Sequence, residues 1–215
     1  MRRSIIFACL LLLPALCPIT GRGQEVVDRI VARVENDVLL QSDLEELARY
    51  QKFVDDKSES ETVLLNRLID QWIVRTEAEA ARFPQPSEVD VQRGIDRLIR
   101  SFGSKEEMAE REKKNGLSDA EVKKMVTAQT FLSNYLDSRF RPSVQVDSKA
   151  VQEFYEKNVV PRAKSRGQTP PTLEAAQDFI QELLVQRAIN EQADRWLQES
   201  RAHLHVKMFP SEASK

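Results

Sequence analysis

The chain has very few residues of the kinds that form disulfides or bind metals. Of its 215 residues only two are cysteine, Cys9 and Cys17, and only two are histidine, His203 and His205. Both cysteines lie near the N-terminus, so a chain cleaved beyond them has neither a disulfide nor a cysteine metal site. The two histidines are two positions apart without a third ligand nearby, which favours a plain terminal strand over a metal site.

The sequence also lacks the patterns of the common enzyme classes. The motifs GxxxxGK[ST], GxGxxG, HExxH and GxSxG are all absent, which argues against an ATP-driven motor and the common hydrolases. Acidic pairs such as Glu77/Glu79 and Glu106/Glu107 occur, but in a chain with 31% charged residues such pairs are usually solvated. We therefore predict no catalytic residues and no cofactor.

Positive charge is not in excess. The chain has 32 Lys and Arg against 34 Asp and Glu, a net charge of −2, and loss of residues 1–23 with their three arginines would make it −5. General nucleic-acid binding needs a basic face, so the sequence argues against it. The high charge content beside 41% hydrophobic residues is typical of long amphipathic helices.

Residues 1–23 have the composition of a secretory signal peptide. A basic start is followed by a short apolar run over 5–13 and by small residues up to Gly23, after which we expect cleavage. The apolar run is shorter than the roughly 20 residues that span a bilayer, so we predict no permanent membrane anchor. Export through a twin-arginine route at Arg2-Arg3 and lipidation at Cys17 stay open alternatives.

Residues 26–47, VVDRIVARVENDVLLQSDLEEL, are the β-like part of an otherwise helical chain. Weak alternation predicts a strand over 26–34, Asn36-Asp37 predicts a tight turn, and residues 38–40 form a short return strand. Ser42 and Glu45 then have the spacing of a capping box that starts a helix.

The alternating segment 204–209 is the best partner for this hairpin elsewhere in the chain. We therefore predict a small antiparallel sheet that joins both ends of the chain.

The remaining sequence predicts a series of amphipathic helices. Apolar residues recur at spacings of three and four, with Ser87, Ser104 and Ser118 as caps and prolines or Asn115-Gly116 as stops. The first predicted helix follows the Ser42 cap and ends near Val54. The other predicted helices cover approximately 62–83, 88–102, 104–114, 119–140, 147–158 and 172–202. The fold class that follows is mainly α, a multi-helix core with one small antiparallel sheet.

Several of these segments resemble one known family. The stretches VVDRIVARVENDVLLQSDL, NRLIDQWIVRTEAEA, SEVDVQRGIDRLIRSFGSKEEM and the NGLS turn, in this order, resemble the N-terminal domain of SurA-like periplasmic chaperones over residues 26–158. The resemblance implies a periplasmic protein that binds unfolded, aromatic-rich polypeptides such as outer-membrane protein precursors without ATP. It also implies a helical core in which the two chain ends associate.

The chain departs from that family where a parvulin prolyl-isomerase domain is usually inserted. Only a linker helix and loop over 142–171 stand there, with no histidine and a single glycine, Gly167. The domain organisation we expect is a signal at 1–23, a chaperone domain at 24–141, the linker, a C-terminal helix and strand at 172–210, and a tail at 211–215. A peptidyl-prolyl isomerase is therefore a disfavoured alternative, and an envelope adaptor or structural helical protein is another.

Most aromatic and methionine residues on the predicted helices are expected to form the core. A chaperone must leave some apolar side chains accessible to its clients, and methionine and aromatic residues adapt to varied partners. The candidates that lie off the main apolar faces are Phe53, Met108, Phe131 and Tyr135. We predict these four as peptide-binding residues, with unfolded polypeptides as partners and a homo-oligomer possible.

Overall fold

The computed structural model describes residues 28–209; the predicted signal peptide with Cys17 and the predicted tail at 211–215 lie outside them. The described elements, in chain order, are β1 (Ile30–Val34), β2 (Asp37–Leu40), α1 (Gln41–Asp55), α2 (Glu61–Ala80), α3 (Glu88–Phe102), α4 (Lys105–Lys114), α5 (Asp119–Phe140), α6 (Ser148–Phe154), α7 (Val160–Ser165), α8 (Leu173–His203) and β3 (Val206–Met208). The prediction of a mainly α fold with one small antiparallel sheet is confirmed.

The three strands form one sheet in the order β2-β1-β3, with β1 antiparallel to both neighbours. Val34 faces Asp37 on one side and Val206 on the other. Beyond the ladder, the N–H of Phe209 donates to the Val31 carbonyl at 2.8 Å. The predicted pairing of the terminal segment with the N-terminal hairpin is thus confirmed, and β1 is the central strand.

The hairpin turn lies one residue earlier than predicted. Glu35 and Asn36 form it, and Glu35 rather than Asn36 or Asp37 has the positive φ, at 52°. The reason is tertiary: the Glu35 N–H donates to the His205 carbonyl at 3.1 Å, and the Glu35 carboxylate accepts the His205 N–H at 2.7 Å. The terminal strand therefore holds Glu35 in a conformation that its residue type rarely adopts.

The cap predicted at Ser42 and Glu45 is also wrong. Helix α1 begins at Gln41, and the Asp43 carboxylate accepts the Leu40 N–H at 3.0 Å. Ser42 does not cap the helix because its hydroxyl and its N–H both donate to the Asp28 carboxylate. The predicted N-caps at Ser87, Ser104 and Ser118 are confirmed, since each hydroxyl accepts an N–H three residues on.

The helix predicted to end at Asn158 continues through a proline. A single π turn, Tyr155–Val159, joins α6 to α7, which runs on to Ser165 with Pro161 at its start. In the π turn the Val160 N–H donates to the Tyr155 carbonyl, five residues back. This wider turn makes room where a proline, which lacks an N–H, would disrupt regular α-helical hydrogen bonding.

The core of the described residues consists of four clusters, and α1, α2, α5 and α8 each contribute to more than one of them. The sheet, α1 and α2 enclose one cluster around Leu65 and Ile69, where the Trp72 indole N–H donates to the Asp37 carboxylate at 3.0 Å. A second cluster joins α1 with α3, α4 and α5. The C-terminal half of α8 packs on α2 and α5 through Trp196 and Leu197.

The N-terminal half of α8 instead packs against α6 and the π turn, around Val151 and Ile180. We call these segments, residues 146–184, the arm. We call the sheet, α1 to α5 and the C-terminal half of α8 the main body. The 31-residue helix α8 therefore belongs both to the main body and to the arm.

Candidate functional site

An open crevice lies between β2 and helices α1, α2 and α5. Its volume is about 250 Å³. Apolar and aromatic side chains make up most of its lining, namely Val38, Leu39, Leu47, Tyr50, Leu68, Met125, Ala128 and Leu132. A crevice of this kind binds ligands through apolar contact, with polar groups at its edge fixing orientation.

The distribution of apolar residues along α1 explains why a crevice stays open here. Leu44 and Leu47 pack into the cluster under the sheet, whereas Phe53 and Val54 pack into the cluster with α3, α4 and α5. Because one helix contributes to two separate clusters, the side chains between its two faces contact neither cluster fully. Leu47, at the edge of the first cluster, and Tyr50, at the edge of the second, lie at this gap and are only partly buried.

Charged residues surround the apolar lining. Asp43 and Glu46 come from α1, Arg75 from α2 and Lys124 from α5. The Lys124 ammonium lies 2.9 Å from the Glu46 carboxylate and so connects α1 to α5 at the crevice edge. Because the Lys124 side chain is largely exposed, this ion pair contributes no more than about 1 kcal/mol and can exchange for contacts with a ligand.

A second depression adjoins the crevice on the α3 side. Tyr50 and Gln129 line both, and the second is completed by α3 residues such as Leu98 and by α5 residues such as Thr130. Because they share these residues, the two depressions give one surface of mixed polar and apolar character that begins at β2 and ends at α3. An extended peptide has the shape to follow such a surface.

Tyr50 supplies a polar group between the two depressions. Burial, with a smaller contribution from the charge of Asp55, raises the pKa of its phenol above the ordinary value of 10.0. The phenol therefore stays neutral and can donate a hydrogen bond. Within residues 28–209 its hydroxyl has no hydrogen-bond partner, which leaves it available to a ligand carbonyl.

The four residues predicted to bind peptide all lie in the interior. Phe53, Met108, Phe131 and Tyr135 are each at most 8% exposed. Phe53 and Met108 belong to the cluster of α1, α3, α4 and α5, and Phe131 and Tyr135 pack with Phe83 against α2. None of the four lines the crevice, and their role in peptide binding stays a prediction.

The residues that do line the crevice were not among the sequence candidates. The signal for them was present in α1, whose apolar residues fall on two faces rather than one. Leu47 and Tyr50 are three positions apart, at the border between these faces. A helix with two apolar faces has to contact two clusters, and the seam between such clusters is where gaps form.

His205 lies beside Glu35 where β3 joins the hairpin. His205 contacts Glu35 with both its backbone N–H and its ring, and the N–H of His205 is the main reason that the pKa of Glu35 is lowered. In the part of the chain that the structure describes, no group of three or more His, Cys, Asp or Glu side chains is placed to hold a metal ion.

Helices α1 to α8 include none that is both long and apolar enough to cross a bilayer. Comparison of the chain with models of known protein families gives no match, and comparison with characterised proteins gives none either.

Proposed function

We propose that the protein is an ATP-independent chaperone of the periplasm, a holdase that binds apolar and aromatic segments of unfolded polypeptides such as outer-membrane protein precursors. The observation that carries the proposal is the open apolar crevice with its charged edge and its neighbouring depression. The resemblance of residues 26–158 to SurA-like chaperones and the pairing of β3 with the N-terminal hairpin in one sheet support it.

The mechanism requires only reversible burial of apolar surface. A client segment gains about 25 cal/mol for each Å² of apolar surface that it removes from water. The Tyr50 hydroxyl and the four charged residues at the edge add polar contacts without demanding one client sequence. Release follows by equilibrium, because a shallow site of this size buries only short segments of the client at a time.

An aggregation assay with a crevice variant tests the proposal. Ala128 is exposed and lines the crevice, so Ala128→Trp should fill it without disturbing the core. We expect the wild-type chain to keep a chemically denatured outer-membrane protein from aggregating on dilution. We expect Ala128→Trp to weaken client binding about tenfold, which corresponds to about 1.4 kcal/mol.

Ala120→Trp is the matched control. Ala120 is an exposed alanine of the same helix, and it does not line the crevice. If the wild-type chain suppresses aggregation of no unfolded protein, the holdase proposal is wrong. If Ala128→Trp and Ala120→Trp bind clients equally well, the crevice is not the binding site.

We further propose that binding involves no catalysis. Residues 142–171 contain neither a histidine nor a Gly-Gly turn of the kind that a parvulin domain needs. A proline-peptide isomerisation assay, with a parvulin as positive control, should show no rate above the uncatalysed one. Clear turnover would establish the isomerase alternative.

A second candidate function is that of an envelope adaptor with a fixed partner. Phe179 and Leu183 lie four residues apart on α8 and are 73% and 37% exposed, so they form an apolar spot on the arm. If this spot binds one partner, Phe179→Ser should abolish that complex and leave aggregation suppression unchanged. A holdase acting through the crevice instead loses aggregation suppression with Ala128→Trp and keeps it with Phe179→Ser.

A further inference from the structure

The tip of the arm has an uninterrupted excess of positive charge. Residues 157–171 contain Lys157, Arg162, Lys164 and Arg166 and no acidic residue, in a chain whose net charge is −2. The nearest acidic side chains in sequence are Glu156, directly before this segment, and Glu174, in the first turn of α8. Positive charge is thus concentrated in one segment of the arm, against the overall balance of the chain.

Three of these four cations form no ion pair within residues 28–209. Arg162, Lys164 and Arg166 are exposed, and none of them forms an ion pair with any group in residues 28–209. Lys157 alone is paired, to Glu153 at 2.9 Å, and its side chain is still 72% exposed. Helix α7 buries no residue, so these side chains do not serve the packing of the arm.

The helix dipole explains only part of this arrangement. Basic residues in the last turn of a helix interact favourably with its C-terminal carbonyls, which accounts for Arg162 and Lys164 in α7. It does not account for Arg166 beyond the helix, for Lys157 before it, or for the lack of acidic residues throughout. The excess of positive charge in this segment is therefore complementary to an anionic partner.

The composition of the tip indicates which kind of anionic partner it fits. Protein interfaces depend on aromatic or large aliphatic side chains near their centre, and residues 157–171 contain no such side chain except Val159 and Val160, which are half-buried. An anionic membrane surface, by contrast, is bound through charge alone, and each Lys or Arg near it strengthens binding about fivefold. We propose that the arm tip binds the phosphate headgroups of an anionic lipid bilayer and so keeps the protein at a membrane surface.

This proposal does not depend on the crevice, which lies on other elements. In the combined picture, the tip holds the molecule at the bilayer through α7 and the following loop while the crevice remains accessible to clients. Ala128→Trp should accordingly leave lipid binding unchanged, so failure of one proposal is distinguishable from failure of the other.

The test is sedimentation of the full chain with vesicles of phosphatidylcholine alone or mixed with phosphatidylglycerol. We expect binding to the anionic vesicles only, and a decline with added salt. The triple variant Arg162→Gln, Lys164→Gln and Arg166→Gln should lose on the order of a hundredfold in the apparent partition coefficient. All variants share the same residues 1–27, so any contribution from that segment cancels in the comparison.

The control is a second triple variant that changes the net charge by the same amount at positions outside the arm. Lys57→Gln, Arg100→Gln and Lys105→Gln replace three exposed residues that form no ion pair within residues 28–209. This variant should bind anionic vesicles nearly as well as the wild type. Equal loss in both triple variants would show a response to net charge only and overturn the proposal.

Further outcomes decide against a lipid surface. No sedimentation of the wild type with anionic vesicles, or equal sedimentation with phosphatidylcholine alone, overturns the proposal. Displacement by inorganic phosphate at constant ionic strength would indicate a discrete phosphate site instead. Tighter binding of an acidic protein or of single-stranded DNA than of anionic vesicles, lost in the tip variant, would assign the tip to that partner.

Discussion

Gly94 marks the closest approach of α3 to α5. A Cβ added at this position would lie 2.6 Å from the Cγ1 atom of Val126, whose side chain is buried. The contact explains why a glycine stands inside a helix, where it normally costs about 1 kcal/mol relative to alanine. It also sets the width of the depression beside Tyr50, which Gly94 and Val126 both line.

We expect Gly94→Ala to lower the free energy of unfolding despite the better helix propensity of alanine. The overpacking against Val126 should cost about 1–3 kcal/mol. In a Val126→Ala background the space is free, and Gly94→Ala should then be neutral or stabilising. Urea unfolding of the two single variants and the double variant measures the coupling. Additive effects would show that α3 and α5 are not in tight contact at Gly94.

Arg201 secures the end of α8 to α2. Its guanidinium donates to the Asp70 carboxylate at 2.7 Å and to the side-chain and backbone oxygens of Asn66. Burial raises the pKa of Asp70 above its ordinary value of 3.8, and the hydrogen bond from Arg201 limits that rise. Ionised Asp70 is therefore tolerated in the fold because Arg201 is present.

Arg201→Gln should destabilise the protein by about 1–3 kcal/mol at pH 7. The pKa of Asp70 then rises further, and the folded state takes up a proton more readily than the unfolded chain does. The difference in the free energy of unfolding between Arg201→Gln and the wild type should accordingly become smaller as the pH falls from 7 towards about 4. Urea unfolding across this range tests the sign. Arg195→Gln, an exposed change on the same helix, should show no such pH dependence.

At the scale of elements, β3 is a three-residue strand that completes the sheet from the other end of the chain. The alternating pattern predicts the same burial for Val206 and Met208, but in the structure their burial differs. Val206 faces the fully buried Val34 and packs on the cluster under the sheet, whereas Met208 is 44% exposed. The contribution of β3 to stability therefore rests mainly on Val206.

Val206→Asp should cost about 2–4 kcal/mol, because it places a charge against buried apolar side chains. Met208→Asp should cost less than about 1 kcal/mol and is the matched control on the same face of the strand. Thermal unfolding compares the two. If Val206→Asp melts like the wild type, the pairing of the chain ends does not stabilise the molecule.

At the scale of the whole molecule, α8 joins two bodies that have separate cores. Its C-terminal half packs on α2 and α5. The apolar side chains of its N-terminal half pack within the arm, around the fully buried Ile180, while Arg141, directly after α5, connects to Glu182 in this half at 2.8 Å. The arm can therefore lose its own packing while the sheet and the helices around it stay folded.

Ile180→Ala should destabilise the arm by about 2–5 kcal/mol. Hydrogen exchange should then accelerate over residues 148–171 and stay slow in β1 and α2. Leu65→Ala, in the cluster under the sheet, should instead accelerate exchange throughout the main body. Equal acceleration everywhere in Ile180→Ala would mean that the arm and the main body unfold as one cooperative unit.

Much of the fold followed from local sequence patterns. The serines at positions 87, 104 and 118 cap helices as predicted, because a hydroxyl and the following N–H groups need no distant partner. The alternation of residues 204–209 was enough to predict β3. Where a local rule failed, at Glu35 and at Ser42, a residue distant in sequence competed for the same hydrogen-bonding groups: His205 in one case and Asp28 in the other.

The sequence by itself determined the order of the helices, the caps at Ser87, Ser104 and Ser118 and the pairing of residues 204–209 with the N-terminal hairpin, since these follow from periodicity or from short-range hydrogen bonds. Only the tertiary structure decided which apolar side chains remain accessible. Phe131 and Tyr135 lie off the predicted apolar face yet are buried by Phe83, whereas Leu47 and Tyr50 line a crevice because α1 serves two clusters. Accessibility depends on how several helices meet, and that geometry is a property of the packed chain rather than of any one segment.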